Sequence, residues 1–213
     1  MAIDRKHIFN KVVFFLKNET KFFTSSELHS IIGVDSFRRI AEDIEFPRTV
    51  ASSIVGSGVW KVSTPVDFIK VDRSKDMVFK DSVGTRILKQ KDQKIIGRDQ
   101  ILTAPPSVPE NYFMETQTTV GIYPPSTSGV INIPYINFPT SLSSDTTTNE
   151  LTEKCYMAAV YWTVAECMLR DSDEKYIIYI GRYDKEVQRL RGIYNDLFEE
   201  SKDMRPSEEY TRR

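Results

Sequence analysis

Two helical patterns near the C-terminal end of the chain constrain its fold more than any other feature. Between residues 147 and 170, apolar side chains recur every four or three residues, at Leu151, Cys155, Ala158, Trp162, Ala165 and Leu169. The same spacing continues at Tyr176, Ile180, Tyr183, Val187, Leu190, Tyr194 and Leu197. Residues 171–173 supply a turn and an N-cap for the second helix, and Thr147 with Glu150 forms a capping box for the first. Because the connection is short, these patterns predict an antiparallel helical hairpin.

The N-terminal part of the chain also predicts helices. Residues 4–18 place three apolar side chains on one helical face, at Ile8, Val12 and Phe15. Residues 24–27 supply the cap of a second, short helix that Gly33 is expected to close. A third helix is expected to start at Asp35 or Ser36 and to continue past a kink at Pro47 to Val50 and Ile54.

From Val59 onward the hydrophobic period changes from helix to strand. The segments that favour strands are residues 59–62, 67–71, 77–79, 111–116, 119–123 and 129–138. Pro134 lies inside the last of these, and a proline favours an edge position in a sheet. The chain is therefore predicted to have an α+β fold, a helical bundle with an inserted antiparallel β-rich region.

The domain organisation that follows has four parts. Residues 1–58 are the N-terminal helices of the helical domain, and residues 59–146 are the inserted β-rich region. Residues 147–202 form the helical hairpin that completes the helical domain, and residues 203–213 are a polar tail.

Charge is distributed unevenly along the chain, although the net charge is only −1. Residues 61–98 contain ten basic and five acidic residues, whereas residues 99–149 contain no Lys or Arg. The basic excess could contact phosphates. Lysines that alternate with apolar residues are also typical of a solvated sheet face, where they protect edge strands from pairing.

Reactive side chains are scarce, with two His and two Cys in 213 residues. The chain carries no phosphate-binding loop, dinucleotide fingerprint or nucleophile elbow. Cys155 and Cys167 share one helix, too far apart along its axis for a disulfide, so both are expected to be buried. No catalytic residues, cofactor, metal site or membrane span is predicted, and the protein is not expected to be an enzyme.

The order of elements resembles the head–tail adaptor proteins, also called head-completion or neck connector proteins, of tailed bacteriophages. The resemblance covers nearly the whole chain and begins with N-terminal helices that end at Trp60. It continues through the strand entry at residues 64–68, the Pro-x-x-Tyr strand start at 109–113, the paired prolines after the strand at 121–125 and the aromatic strand exit at 135–139. An alanine-rich helix and a long tyrosine-bearing helix then close the pattern, as in the family.

The resemblance implies a non-enzymatic structural protein of the virion neck, made in the cytoplasm of the host bacterium. By analogy, twelve copies would form a ring under the portal protein, extend the DNA channel and provide a platform for tail or neck proteins. Genomic double-stranded DNA would pass close to the ring without sequence-specific contact. The tail is expected to dock to the portal through Met204, Arg205, Pro206, Tyr210, Arg212 and Arg213.

Two other functions remain open from the residues themselves. A stand-alone module could bind a peptide or glycan in an exposed groove of the β-rich region lined by Trp60, Tyr112, Tyr123 and Tyr135. A small hydrolase could use paired carboxylates such as Asp67 and Asp72, which would require a deep pocket. The adaptor instead requires assembly, with the aromatic residues in the core or between copies.

Overall fold

A computed structural model describes residues 3–16 and 23–203, with the side chains of all of these except 98, 99, 102 and 195–203. The chain divides into two units, one formed by residues 1–46 and 139–213 and the other by Pro47–Phe138. The first unit is helical and the second contains the sheets, which confirms the predicted α+β fold. The bounds of the second unit differ from residues 59–146 because the first strand starts at Arg48.

The N-terminal helix of the first unit, α1, spans Arg5–Leu16. Its N-terminus is capped by the carboxylate of Asp4, which accepts a hydrogen bond from the amide of His7 at 2.9 Å. Ile8, Val12 and Leu16 form its buried face, and this face packs mainly against the first helix of the C-terminal hairpin.

The second and third predicted helices form one continuous helical segment. Helix α2 (Ser25–Ser30) leads through a π-helical turn (Ile31–Ser36) into α3 (Phe37–Ile44). The predicted cap at residues 24–27 is confirmed as a complete capping box. The prediction that Gly33 ends a helix is wrong: a Cβ atom there would lie 2.8 Å from the carbonyl oxygen of Leu142. Glycine is needed at this position because another part of the chain passes against the helix.

The C-terminal hairpin is confirmed, with α6 at Thr152–Arg170 and α7 at Tyr176–Asp203. Helix α6 is buried on most of its circumference, and α7 buries the predicted stripe through Tyr183, Val187, Leu190 and Tyr194. Helix α6 starts later than predicted. The predicted capping bond from Thr147 is replaced, because the Thr147 hydroxyl accepts from the amide of Ser144. Asn149 bonds the chain before the helix instead, and its side-chain oxygen accepts from the amide of Leu151 at 3.0 Å.

The second unit contains two sheets that share one core. The larger sheet has the order β1-β9-β4-β5, with β3 also paired to β9, and the smaller has the order β2-β8-β7-β6. Their bounds are β1 Arg48–Val55, β2 Lys61–Ser63, β3 Phe68–Val71, β4 Val78–Lys80, β5 Thr85–Ile87, β6 Lys89–Gln90, β7 Asn111–Thr116, β8 Thr119–Tyr123 and β9 Gly129–Asn137. Two short helices, α4 (Gln93–Ile96) and α5 (Arg98–Thr103), connect β6 to β7. Buried side chains from both sheets, among them Val55, Phe79, Val120, Ile122 and Ile133, form the core.

Strand β1 replaces the predicted end of the third helix, so that part of the prediction is wrong. Helix α3 ends at Ile44, and Glu45 adopts a left-handed backbone with a φ of 57°. Pro47 disfavours helix in the residue before it. The following segment is rich in β-branched residues, which favour strands, and it pairs with β9 in unbroken antiparallel register.

Strand β9 is the central strand of its sheet, so the predicted edge position of Pro134 is also wrong. Strand β1 covers one side of β9, and β3 and β4 follow each other along the other side. The carbonyl of Pro134 accepts from the amide of Asp72 at 3.0 Å, and the nitrogen of a strand residue faces the same side as its carbonyl. The missing amide therefore faces the gap between Val71 of β3 and Val78 of β4, where no ladder bond is lost.

Candidate functional site

The residues predicted to dock to a portal are Met204, Arg205, Pro206, Tyr210, Arg212 and Arg213, and all six lie outside the described residues. Helix α7 ends at Asp203, directly before the first of them. Portal docking by this tail therefore stays a prediction.

The aromatic residues predicted to line a binding groove belong to two apolar cores instead. Tyr112 and Tyr135 are only 7% and 6% exposed in the core between the sheets. Burial, together with a 3.0 Å hydrogen bond donated to Asp67, raises the pKa of Tyr135 to about 12. Trp60 and Tyr123 pack against a second core beneath α4 and α5. The predicted exposed groove is therefore wrong for Tyr112 and Tyr135, whereas Trp60 and Tyr123 are half-buried and a binding role for them stays a prediction.

The two carboxylates suggested for a hydrolase hold local structure. Asp67 accepts the bond from the Tyr135 hydroxyl. Asp72 is 2% exposed, and one of its oxygens accepts from the amide and the hydroxyl of Ser74 at 2.9 and 2.6 Å. Its nearest cation is Arg48, with Nε at 4.0 Å. Neither carboxylate lines the two cavities described below for this unit.

Both cysteines are buried on α6, as predicted. Burial raises the pKa of the Cys155 thiol to about 11 and that of Cys167 to about 12. The histidines pack against aromatic rings: His29 stacks on Phe9 with centroids 4.5 Å apart, and His7 meets the edge of Tyr156. High thiol pKa values disfavour the nucleophilic thiolate, so these residues are suited to packing.

The described part of the chain lacks two further kinds of functional feature. No group of three or more His, Cys, Asp or Glu side chains within it is arranged to hold a metal ion. None of the helices within the same residues has the length and apolar character to cross a membrane.

The first unit exposes several large apolar side chains on its helices. Phe14 at the end of α1 is 76% exposed, and Ile177 and Ile178 at the start of α7 are 62% and 55% exposed. Phe15, the next residue of α1, contacts the rings of Tyr161 and Tyr179, with centroids 6.1 and 6.0 Å apart, which brings the end of α1 close to the start of α7. We call Phe14, Ile177 and Ile178 the apolar helical face. Exposed aliphatic and aromatic groups of this kind are typical of surfaces that bind another protein.

A polar network fixes α3 to α7 and so holds the start of α7 in place. The hydroxyl of Tyr183 donates to the carboxylate of Asp43 at 2.5 Å, and Tyr183 is 3% exposed. Arg39 forms an ion pair with the same carboxylate at 3.0 Å, and Arg191 donates to the Asp43 carbonyl at 2.6 Å. Burial and the bond to Asp43 raise the pKa of Tyr183.

The second unit leaves one long strand unpaired on its outer side. Strand β1 ends its sheet, and within the described residues it pairs only with β9. Val50 and Ile54 of this strand are 47% and 90% exposed, and residues 49–55 contain no charge and no proline. Edge strands are usually short or protected by charges, so β1 has the features of a strand that meets another chain.

These features define a mixed α+β protein whose prominent surfaces are suited to assembly. A family model described as SU10 adaptor protein matches residues 32–209, well over half of the chain. The chain therefore belongs to this family of bacteriophage head–tail adaptors and is a structural adaptor component of a phage virion. A search of curated proteins found no match to it.

Proposed function

We propose that the protein assembles into a ring of twelve copies under the portal, in the neck of the virion. The ring extends the DNA channel and provides the attachment platform for tail or neck proteins, and the protein catalyses no reaction. The chain is made in the cytoplasm of the host bacterium and reaches the neck by assembly. The observation that carries this proposal is the family match, which spans the hairpin and the whole sheet-containing unit.

The apolar helical face supports assembly by side-by-side contact. A closed ring needs a heterologous interface, in which one patch of each copy meets a different patch of the next. Phe14 on α1 and Ile177 and Ile178 on α7 are more than half exposed, whereas Tyr183, Val187 and Leu190 further along α7 are buried. Burial of exposed apolar area in such a contact favours association, at about 25 cal/mol per Å². We therefore assign this face to the contact between neighbouring copies.

A charged substitution on this face tests the assignment. The double variant Ile177→Asp/Ile178→Asp is compared with Ile95→Asp, which places the same carboxylate at a 74% exposed isoleucine of α4. Each protein is mixed with portal particles of the same phage, and the bound copies are counted after sedimentation. We expect the double variant to bind as few, unconnected copies, whereas Ile95→Asp completes the ring. Equal binding by both variants would contradict the assigned contact.

The C-terminal tail is the proposed contact with the portal. A chain that stops after Asp203 keeps all described elements and is expected to retain its circular dichroism spectrum and melting temperature. It should no longer bind portal particles, because residues 204–213 are the proposed docking segment. Unchanged portal affinity of the shortened chain would refute the docking role.

A further inference from the structure

A run of cations lies where the edges of the two sheets meet. Strand β5 ends the larger sheet and β6 ends the smaller one, and only Leu88 separates them in sequence. Arg86 on β5, Lys89 on β6, Lys91 after it and Lys94 on α4 are all exposed. We call these four residues the basic edge.

Two open cavities follow the basic edge. One, of about 380 Å³, is lined by Arg86, Lys89 and Lys91 together with Ile87, Pro109, Glu110 and Asn111. The other, of about 510 Å³, is lined by Lys91 and Lys94 together with Gln90, Asp92, Gln93, Phe113 and Met114. Lys91 lines both, so the two open cavities are neighbours along the basic edge, and we call them together the groove.

The backbone holds the cations on this groove. The amides of Lys89 and Lys91 each donate at 2.9 Å to strand β7, to the carbonyls of Glu110 and Tyr112. Residues two apart in a strand face the same side, about 6.6 Å from each other. The side chains of Lys89 and Lys91 therefore leave the backbone on the same side of this segment.

None of the four cations forms an ion pair within the described residues, whereas Lys61 of the same unit binds Glu115 at 2.6 Å. Two carboxylates line the groove. Asp92 accepts from the amide of Lys94 at 2.9 Å as a helix cap and keeps its negative charge. With four cations and two carboxylates, the side chains that line the groove carry a net charge of +2.

We propose that the basic edge binds the phosphate backbone of double-stranded DNA. A linear polyanion matches the groove, because the four cations of the basic edge follow one another along two neighbouring cavities. All four cationic side chains are solvent-exposed, which suits sequence-independent contact with phosphates. The choice of double-stranded DNA as the polyanion rests on the proposed function, in which the genome passes through the ring. The positive charge of the groove is independent of that proposed function.

The salt dependence of this contact follows from the number of phosphates that it neutralises. For duplex DNA the slope of log K against log salt concentration is about −0.9 per contacted phosphate. Four contacts give a slope of about −3.6 and a loss of roughly 150-fold in affinity between 50 and 200 mM salt. Affinity therefore falls steeply as salt approaches cellular ionic strength, which suits a surface past which DNA moves.

Binding of a fluorescent duplex to the full chain, measured by anisotropy over this salt range, tests the proposal. Lys89→Gln/Lys91→Gln should lower the magnitude of the slope by about 2. The control Lys6→Gln/Lys185→Gln removes two exposed lysines of the helical unit and should keep the slope. Lys89→Arg/Lys91→Arg retains both charges and should also keep it.

Several results would overturn the inference. They are no binding of the duplex at 50 mM salt, an equal loss of slope in both glutamine variants, and displacement by polyglutamate as effective as by DNA. The last would assign the groove to an acidic protein surface. Ring formation on portal particles is measured separately. If the ring forms but Lys89→Gln/Lys91→Gln does not change the DNA slope, only this inference is rejected. If that variant lowers the slope but no ring forms, only the proposed function is rejected.

Discussion

Removal of one hydroxyl, in Tyr183→Phe, tests how the helical unit is held together. The hydroxyl donates at 2.5 Å to the carboxylate of Asp43, and this bond joins α3 to α7. A hydrogen bond to a charged group contributes about 1.5–3 kcal/mol to stability. The carboxylate of Asp43 is 21% exposed and keeps Arg39 as a partner. The lower end, about 1.5–2 kcal/mol, is therefore expected.

Urea unfolding followed by far-ultraviolet circular dichroism measures this loss. With an m value of about 2 kcal/mol per M, the midpoint should fall by about 1 M without a change in m. Tyr179→Phe is the matched control: Tyr179 lies on the same helix, and its hydroxyl has no hydrogen bond within the described residues. Its free energy of unfolding should change by no more than about 0.5 kcal/mol, as is usual for such sites. Equal midpoints for the two variants would refute the role of the Tyr183–Asp43 bond.

Buried tyrosines in both units predict how stability depends on pH. Burial raises the pKa of Tyr183, and burial with the bond to Asp67 raises that of Tyr135 to about 12. An unfolded tyrosine ionises near pH 10, so the unfolded state loses its protons first. The stabilisation is fully present below about pH 10 and is lost as pH rises toward 12. Tyr183→Phe should flatten this decline; an identical decline in the variant would contradict the assignment.

Two further predictions concern buried groups. Cys155 and Cys167 should not react with a thiol reagent in the native protein at pH 8 and should both react in urea, because burial raises both pKa values; stoichiometric labelling of the native chain would contradict this. Gly121→Ala should lower the free energy of unfolding by about 1–3 kcal/mol, because a Cβ atom there overlaps the ring of Phe113. Gly192→Ala on α7, where nothing lies within 4 Å, should raise it by up to about 1 kcal/mol; the opposite order in thermal melts would refute the packing.

The C-terminal hairpin was predictable because its signal is long and redundant. Seven residues from Tyr176 to Leu197 repeat one spacing, and the turn at residues 171–173 has both a short length and a capping aspartate. The strands at residues 111–116 and 119–123 were predictable for a similar reason, since apolar residues lie between clear turn signals. In such segments the residues that decide the structure, namely the apolar stripe and the turn residues, lie next to one another in sequence.

The segment around β1 could not be assigned from its spacing. Val50 and Ile54 are four residues apart, which places them on one face of a helix and also on one face of a strand. Only the pairing partner decides, and β9 lies far away in sequence. Pro134 was misassigned for a related reason: its tolerance in a central strand depends on a gap between β3 and β4, which no local pattern shows.

The candidate surfaces were only partly predictable. The basic excess of residues 61–98 was visible in the sequence, but its meaning depended on β5 and β6 lying at the ends of two sheets. The exposure of Ile177 and Ile178 was not visible, because they stand beside the buried stripe of the same helix. The aromatic residues of the sheet region looked like a groove because sequence does not distinguish a core tyrosine from an exposed one.

Electron microscopy of the purified protein mixed with portal particles of the same phage tests the central claim most directly. The account predicts a ring with twelve-fold symmetry stacked on the portal, with an open channel continuous with that of the portal. Free monomers beside portal particles that carry no added ring, even with the protein in large excess over portal, would contradict it.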